Sequence, residues 1–537
     1  MKWKSVIAIV CMGALLIASL SGCGSKTVNK NGTGDETKST ESSNEENQTV
    51  DGQKTANVTD VEVWGTNTGY LPVEKDSELY NFYKDLIGVG IIQPYVEWNG
   101  GTTYQEQLNL RIAAGEMPDM FTPVNGMEVG LIESGALLDL TDLLPKYASN
   151  LWKLIPEEVW DAMRASDPTG KGRIYTIPNV ISYGRNGGMI RQDWLDTLGL
   201  TMPTTQEEYV KVLRAFKNDD PNGNGINDEI PTGGRAEARW MDHLFAMYGI
   251  AIWEGYPQWD IYDGELTYSA VTPNMKDALK WIASLYKEGL IDSETLLNDK
   301  AAWDGKINSN LVGSWTHIPQ EAYNYAETIA SSTGAKPDIA TLPALSAPGY
   351  EGFYTALKVN GTGFAVANTD DQEKIQAVMK ILNAYADISL WDTFYNGVEG
   401  MHSKMVDGTL KRLPDDKKTQ QNLVFAPYNC IATVDFQIKS LEGQKTPERE
   451  WAISQSIRDL QDNQKYVKSI AGDGIPSSIY GNYYDIQNRT LYIEYASKII
   501  IGEYPIEKFD EFVDKWYASG GEEVTRAARE WYDSIKK

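Results

Sequence analysis

Apolar positions along the chain switch between two periods. Val61-Glu62-Val63-Trp64 alternates every second residue, which predicts a first strand, and Gly65-Thr66-Asn67-Thr68-Gly69 follows as a loop. Tyr104, Leu108 and Ile112 recur at helical spacing, with Gly115 where a terminating left-handed residue belongs. Met117-Pro118-Asp119-Met120-Phe121 reads as a turn into a short apolar strand, and 135–140 and 172–178 read as further strand or edge segments. Asp193-Trp194-Leu195-Asp196 precedes Pro203-Thr204-Thr205, which opens a helix through Phe216. Thr205 with Glu208 three residues on fits a capping box. Met275, Leu279, Ile282 and Tyr286 mark one face of a helix that stops at Gly289. Ile375, Val378, Met379 and Leu382 do the same within 372–386, and Phe509, Phe512, Val513 and Trp516 near the C-terminus. Strands alternating with helices, without an internal repeat, predict α/β lobes.

The first residues have a different pattern. Lys2 and Lys4 precede an uncharged apolar run from Val6 to Leu20, shorter than the ~20 residues that cross a bilayer comfortably. Residues 1–22 therefore read as a secretory signal. Leu20-Ser21-Gly22-Cys23 resembles the bacterial lipoprotein box, in which the thiol takes lipid, palmitate included, and becomes the new N-terminus. The alternative is an ordinary signal peptide with a chance cysteine. As a lipoprotein box, Cys23 would be the membrane anchor, and the rest would lie outside the cytoplasm on the outer face of a bacterial cell membrane. From Gly24 to Asn57 only Val28, Val50 and Ala56 are apolar, so 23–57 is expected to be a disordered tether.

Composition narrows the classes. About 515 residues after the signal suffice for two or more lobes. Losing Lys2 and Lys4 takes the formal charge from −26 to about −28, a surface that repels nucleic acid. Cys11 leaves with the signal and Cys23 is the anchor, so Cys430 has no partner for an intrachain disulfide and is expected to be a buried free thiol. His243, His317 and His402 share no close spacing, so zinc or triad chemistry is not indicated.

Two patterns carry candidate chemistry. In Asp220-Pro221-Asn222-Gly223-Asn224-Gly225-Ile226-Asn227-Asp228-Glu229, side-chain oxygens fall at positions 1, 3, 5 and 9, with a glycine at 6 and the Ile226 carbonyl at 7. Calcium takes six to eight oxygens, and Asp220, Asn222, Asn224, Ile226, Asp228 and Glu229 can supply them. The loop departs from an EF-hand because position 12 is Pro231, leaving Glu229 as the substitute; such a closed oxygen cage would be structural. The second pattern is a supply of aromatics in loop contexts: Trp64, Trp240, Trp253, Trp259, Trp315, Trp391 and Tyr395. Sugar rings stack their C–H faces on indole and phenol, and clefts that hold them are lined by aromatics with a few placed polar groups.

Several runs occur together in one order: 114–119 (Ala-Gly-Glu-Met-Pro-Asp), 190–200 around Arg191-Gln192-Asp193-Trp194-Leu195-Asp196, the 220–231 loop, 285–292 around Tyr286-Lys287-Glu288-Gly289, and 394–400 ending Val398-Glu399-Gly400. This set resembles the large lipoprotein branch of the family 1 extracellular solute-binding proteins, receptors of carbohydrate ABC importers, from about Val58 to Lys537. The resemblance implies a two-lobed periplasmic-binding-protein-like α/β fold, with a hinge and an inter-lobe cleft holding an oligosaccharide, and a calcium ion on the 220–229 loop. It divides the chain into 58–178 and 361–425 for lobe 1, and 179–360 and 426–537 for lobe 2. More distantly, 174–178 and 361–366 resemble the hinge-crossing runs of maltose-binding protein, and Gly313-Ser314-Trp315 its sugar-stacking Gly-x-Trp. The implied ligand contacts are Asn67, Trp240, Trp253, Trp315, Trp391, Tyr395 and Glu399, with Trp315 foremost; Trp315→Ala is expected to weaken binding without unfolding. The expected molecule is a monomer that hands unaltered sugar to a membrane permease and catalyses nothing. An extracellular glycoside hydrolase is the rival, since acidic residues abound, but no local catalytic signature marks one.

Overall fold

Apolar strand residues gather into two mixed sheets in a computed structural model that describes residues 58–65, 71–98, 102–124, 126–181, 183–413 and 431–536. The first sheet runs, in spatial order, Ile431–Ala432, Thr176–Ile181, Val359–Val366, Met120–Phe121, Asp60–Trp64 and Gly90–Ile92. Only Val359–Val366 is antiparallel to its neighbours. The second runs Ile339–Leu342, Gly187–Arg191, Val312–His317 and Ile230–Thr232, with Gly187–Arg191 antiparallel to both neighbours. Each sheet carries one lobe of a two-lobed α/β molecule.

Direction of pairing decides where a site can form. The chain leaves the first sheet at Ile181 and enters the second at Gly187, a step spanning at most roughly 20 Å. The carboxyl ends of Asp60–Trp64 and Met120–Phe121 therefore lie on the same side of their sheet as this crossing. So do the carboxyl ends of Ile230–Thr232 and Val312–His317 in the other. A second crossing returns between Leu342 and Val359. The runs compared with hinge crossings, 174–178 and 361–366, are instead sheet neighbours, registering Ala365 against Thr176; the crossings begin after one and end before the other.

Two adjacent side chains tie down the first crossing. Asn463, buried at the end of helix Glu450–Asn463, donates its amide to the carbonyls of Gly184 (2.9 Å) and Asn186 (3.1 Å). Gln464 accepts the Gly184 amide at 2.7 Å and donates to the Gly184 carbonyl at 3.2 Å. A Cβ on Gly187 would lie 2.1 Å from Asn463 Oδ1, so glycine is required there. Asn463→Ala takes the side-chain donor from the Asn186 carbonyl and one of two from the Gly184 carbonyl. Urea titration is expected to show a loss of about 1–3 kcal/mol.

Helix ends fall where local capping chemistry predicts them. Helix Pro273–Glu288 starts at Thr272, whose hydroxyl accepts from the Met275 amide, and ends at Gly289 with φ +72°. Its Met275, Leu279 and Ile282 pack with Tyr492, Tyr495, Phe512 and Trp516 of the C-terminal helices. Helix Gln372–Tyr385 buries Ile375, Val378, Met379 and Leu382 against Val61, Ile91 and Phe364 of the first sheet. The capping box is offset. Thr205 accepts from the Glu208 amide, but the Glu208 carboxylate reaches the Thr204 amide and hydroxyl, both at 2.8 Å. The 135–140 run forms no strand, only a bridge from Leu137 to Ala367. Among the described residues no helix is long and apolar enough to cross a membrane. The signal, Cys23, the tether and Cys430 lie outside them.

Candidate functional site

Where strand Ile230–Thr232 ends, Gly233-Gly234-Arg235 turns the chain back on itself. A Cβ on Gly234 would lie 2.2 Å from the Arg239 carbonyl, so this fold-back needs glycine. Ala236, Glu237, Ala238 and Trp240 then all take left-handed φ, between 51° and 65°, a costly conformation for residues with a Cβ. The amides of Ala236, Glu237 and Ala238 are held by the carbonyls of Asn298, Leu296 and Thr295. The product of that strain is the placement of Trp240.

Trp240 is half-buried and stacks on His317, at the end of strand Val312–His317, with centroids 5.7 Å apart and planes 28° apart. The Arg235 guanidinium sits 4.2 Å from the Trp240 ring and 5.2 Å from the buried Trp303 ring. Tyr325 meets His317, Trp303 and Trp315 edge-on, closing the floor beneath. Burial, and secondarily the Arg235 charge, hold His317 near pKa 3, so it is neutral at physiological pH and its 3.7 Å approach to Glu321 is not an ion pair. The Glu321 side chain is 41% exposed, and desolvation raises its carboxyl. Arg185 pairs with Glu254 at 2.8 Å on the same rim.

In the first lobe the corresponding strand ends carry buried side chains, Trp64 at 3% and Thr122 at 6% exposure. Trp64 closes strand Asp60–Trp64 and donates its indole N–H to Glu62 at 2.8 Å. The Thr122 hydroxyl, just past Phe121, donates to the Gly363 carbonyl at 2.7 Å. Burial raises the carboxyl of nearby Glu128, which accepts from Thr362. Gln320 of the second lobe donates to Gln437, on the helix that follows the Ile431–Ala432 strand, and accepts from Tyr183 beside the crossing. A separate cavity of about 400 Å³, lined by Gly115, Met117, Asp119 and Lys374, lies at the opposite end of the first sheet. It has no aromatic lining, and an Asp119–Lys374 pair at 2.9 Å crosses it.

The sequence-predicted contacts scatter. Trp240 alone stands half-open on the rim. Trp315 is wholly buried with no face to offer a sugar. The Gly-x-Trp comparison therefore finds a core residue: Trp315→Ala is expected to cost about 3–5 kcal/mol of stability, read by thermal and urea unfolding, in place of a selective loss of affinity. Trp253, Trp259 and Trp391 are at most 6% exposed, and Trp391 spends its indole N–H on the Tyr385 carbonyl. Glu399 is exposed beside the Ser403–Val406 hairpin. Asn67 lies outside the described residues, as does the side chain of Tyr395. The Arg191-Gln192-Asp193-Trp194 run is structural: Arg191, 1% exposed, chelates Asp193, bonds Asn310 and lies over Trp194. His243 is bound to Thr232, Tyr209 and Thr316, remote in role from His317. Sequence reasoning missed Arg235, His317 and Glu321. The paired glycines before Arg235 were the available signal, a backbone doubling back at a strand end.

The 220–229 loop holds itself in a tight curl. The Asp220 carboxylate accepts the amides of Asn224 (3.1 Å) and Gly225 (2.9 Å), and Asn224 Oδ1 accepts the Ile226 amide. Glu229, only 8% exposed, has no hydrogen-bond partner on either carboxylate oxygen. Burial, then the charges of Asp220 and Asp228, push its carboxyl up. Among the described residues no three His, Cys, Asp or Glu side chains converge as a metal centre. The loop's six oxygen donors are three carboxylates, two Asn side chains and one backbone carbonyl, and one of the carboxylates, Glu229, is buried and unpartnered. That donor set suits a hard cation in kind.

Residues 92–386 match the family described as Bacterial extracellular solute-binding protein. Lipoprotein LipO of Bacillus subtilis (strain 168) is 26% identical over 82% of this chain and 86% of its own length. The fructooligosaccharide ABC transporter substrate-binding protein FusA of Streptococcus pneumoniae serotype 4 is 32% identical over 50% of this chain and 51% of its own. A solved structure of FusA, an EF-hand mutant in complex with fructo-nystose, superposes with TM-score 0.64 at 18% identity, over 89% of this chain and 99% of that one. The alginate-binding protein AlgQ2, solved without calcium ion, gives 0.65 at 21% identity over the same shares.

Proposed function

Since the chain belongs to the bacterial extracellular solute-binding protein family, we propose that it captures an oligosaccharide between its lobes and delivers it, unaltered, to the permease of an ABC importer. The observation that carries this reading is the Trp240–His317–Arg235 rim, built at strand ends that flank the crossing. A flat indole and a buried cation suit a ring with polar substituents. Contacts to both lobes would favour a closed form by their difference in affinity between the two states. We infer a hinge at 183–186 and 357–358, the second following strand Tyr354–Ala356, with lobes of 58–181 and 359–444 against 187–356 and 450–536.

Catalysis is not needed to account for the acidic residues here. Glu254 is neutralised by Arg185, and Asp304 by Lys300. Cys23 would anchor the chain to the outer membrane face through lipid, the 24–57 segment acting as leash, in keeping with the lipoprotein name of a relative. Asp220, Asn222, Asn224, Ile226, Asp228 and Glu229 would hold a calcium ion, whose charge would relieve the buried Glu229 carboxylate. AlgQ2 and the FusA EF-hand mutant indicate calcium chemistry in proteins of this fold. A thermal-shift screen of the full chain against neutral and acidic oligosaccharides tests the reading. One glycan class is expected to raise the melting temperature; a flat response to every glycan would reject it.

A further inference from the structure

The charge of the ligand is written in two arginines that differ in one respect. Arg191 is 1% exposed and each of its three guanidinium nitrogens has a partner, two on Asp193 and one on Asn310. Arg235 is 8% exposed and no hydrogen bond or carboxylate reaches its guanidinium among the described residues; Nε is sealed and unbonded. Its neighbours are the Trp240 and Trp303 rings. A packing arginine resembles Arg191, because a buried guanidinium with empty donors is costly.

The carboxylates whose charges act on Arg235 at longer range, Asp304 and Glu254, each have a closer cation. Glu254 is held by Arg185, and Asp304 by Lys300 with a further hydrogen bond from Tyr325. Glu321 lies against His317, which is neutral. Arg239 adds another cation, packed over Tyr256 and donating to the Ala236 carbonyl. This positive patch sits in a chain of formal charge −26, so it is a local arrangement against the general field.

Resting on the receptor reading above, we propose that the ligand is an acidic oligosaccharide and that one of its carboxylates seats on the Arg235 guanidinium, with the ring bearing it stacked on Trp240. The planar fork of arginine matches a carboxylate in two parallel hydrogen bonds, and the flanking indoles keep water from competing. Arg235 is thus the residue that selects for charge.

The test is calorimetric titration of the full chain with trigalacturonate and trimannuronate, the same acids methyl-esterified, and the neutral trimers galactotriose, mannotriose and kestose. At least one acid is expected to bind at least 10-fold more tightly than its own ester. Arg235→Gln should reduce that ratio to within about 2-fold, and Arg235→Lys should restore part of it. Esters or neutral trimers binding as tightly as the acids would overturn the proposal and leave the receptor reading intact. Binding of none of them in any form would count against both. If Arg235→Gln does not fold, the acid-to-ester ratio of the unaltered protein decides alone.

Discussion

Trp240→Ala is expected to weaken oligosaccharide binding by about 30–100-fold, the scale of losing a well-packed tryptophan anchor at an interface. Its melting temperature should move by only a few degrees. The separation of effects follows from position. Trp240 is half-buried, and its left-handed backbone is fixed by bonds from Ala236, Glu237 and Ala238 to 295–298, not by its own indole. Truncation removes the platform and leaves the loop. Trp240→Phe should retain part of the affinity, because a smaller ring still presents a flat face. Trp315→Ala is the control, expected to lose stability first. Equal melting losses in both variants would mean that Trp240 is core and that the rim is misassigned.

Calcium removal is the second large effect. If an ion bound at about a thousand times its dissociation constant supports the 220–229 loop, chelation withdraws roughly 4 kcal/mol. For a lobe of this size that corresponds to a fall of roughly 10 °C. Glu229→Gln should abolish the response to chelator and should itself melt above the chelated parent, since it removes a buried carboxylate that has no partner and faces Asp220 and Asp228. Differential scanning calorimetry with and without chelator reads both. A melting point indifferent to chelator would dismiss the ion and leave the sugar reading untouched.

Much of the scaffold was legible because helix ends have local causes. Gly289 ends its helix in a left-handed turn where the pattern stops, and the apolar stripes at Met275 and Ile375 faced the cores as their spacing required. Short strands were harder. Met120–Phe121 owes its state to Val63 and Trp64 on one side and to Ala365 and Val366 on the other, partners that no local pattern contains. The site was least legible of all. Tryptophans are abundant, but whether one is a platform or core depends on what the second sheet packs behind it. Trp315 lies within its strand beneath Tyr325, while Trp240 is lifted onto the rim by four left-handed residues that no helix or strand signal announces. Arg235 was missed for a related reason. An unpaired guanidinium is recognised only when every possible partner has been placed.

The most direct measurement is recovery of the sugar. The full chain is saturated with whichever oligosaccharide stabilises it, the bound fraction is counted by calorimetry, and the ligand is released and sized by chromatography after prolonged incubation. One sugar per chain, returned at its original length, is what two closing lobes predict. Shortened sugar, or none bound, contradicts them.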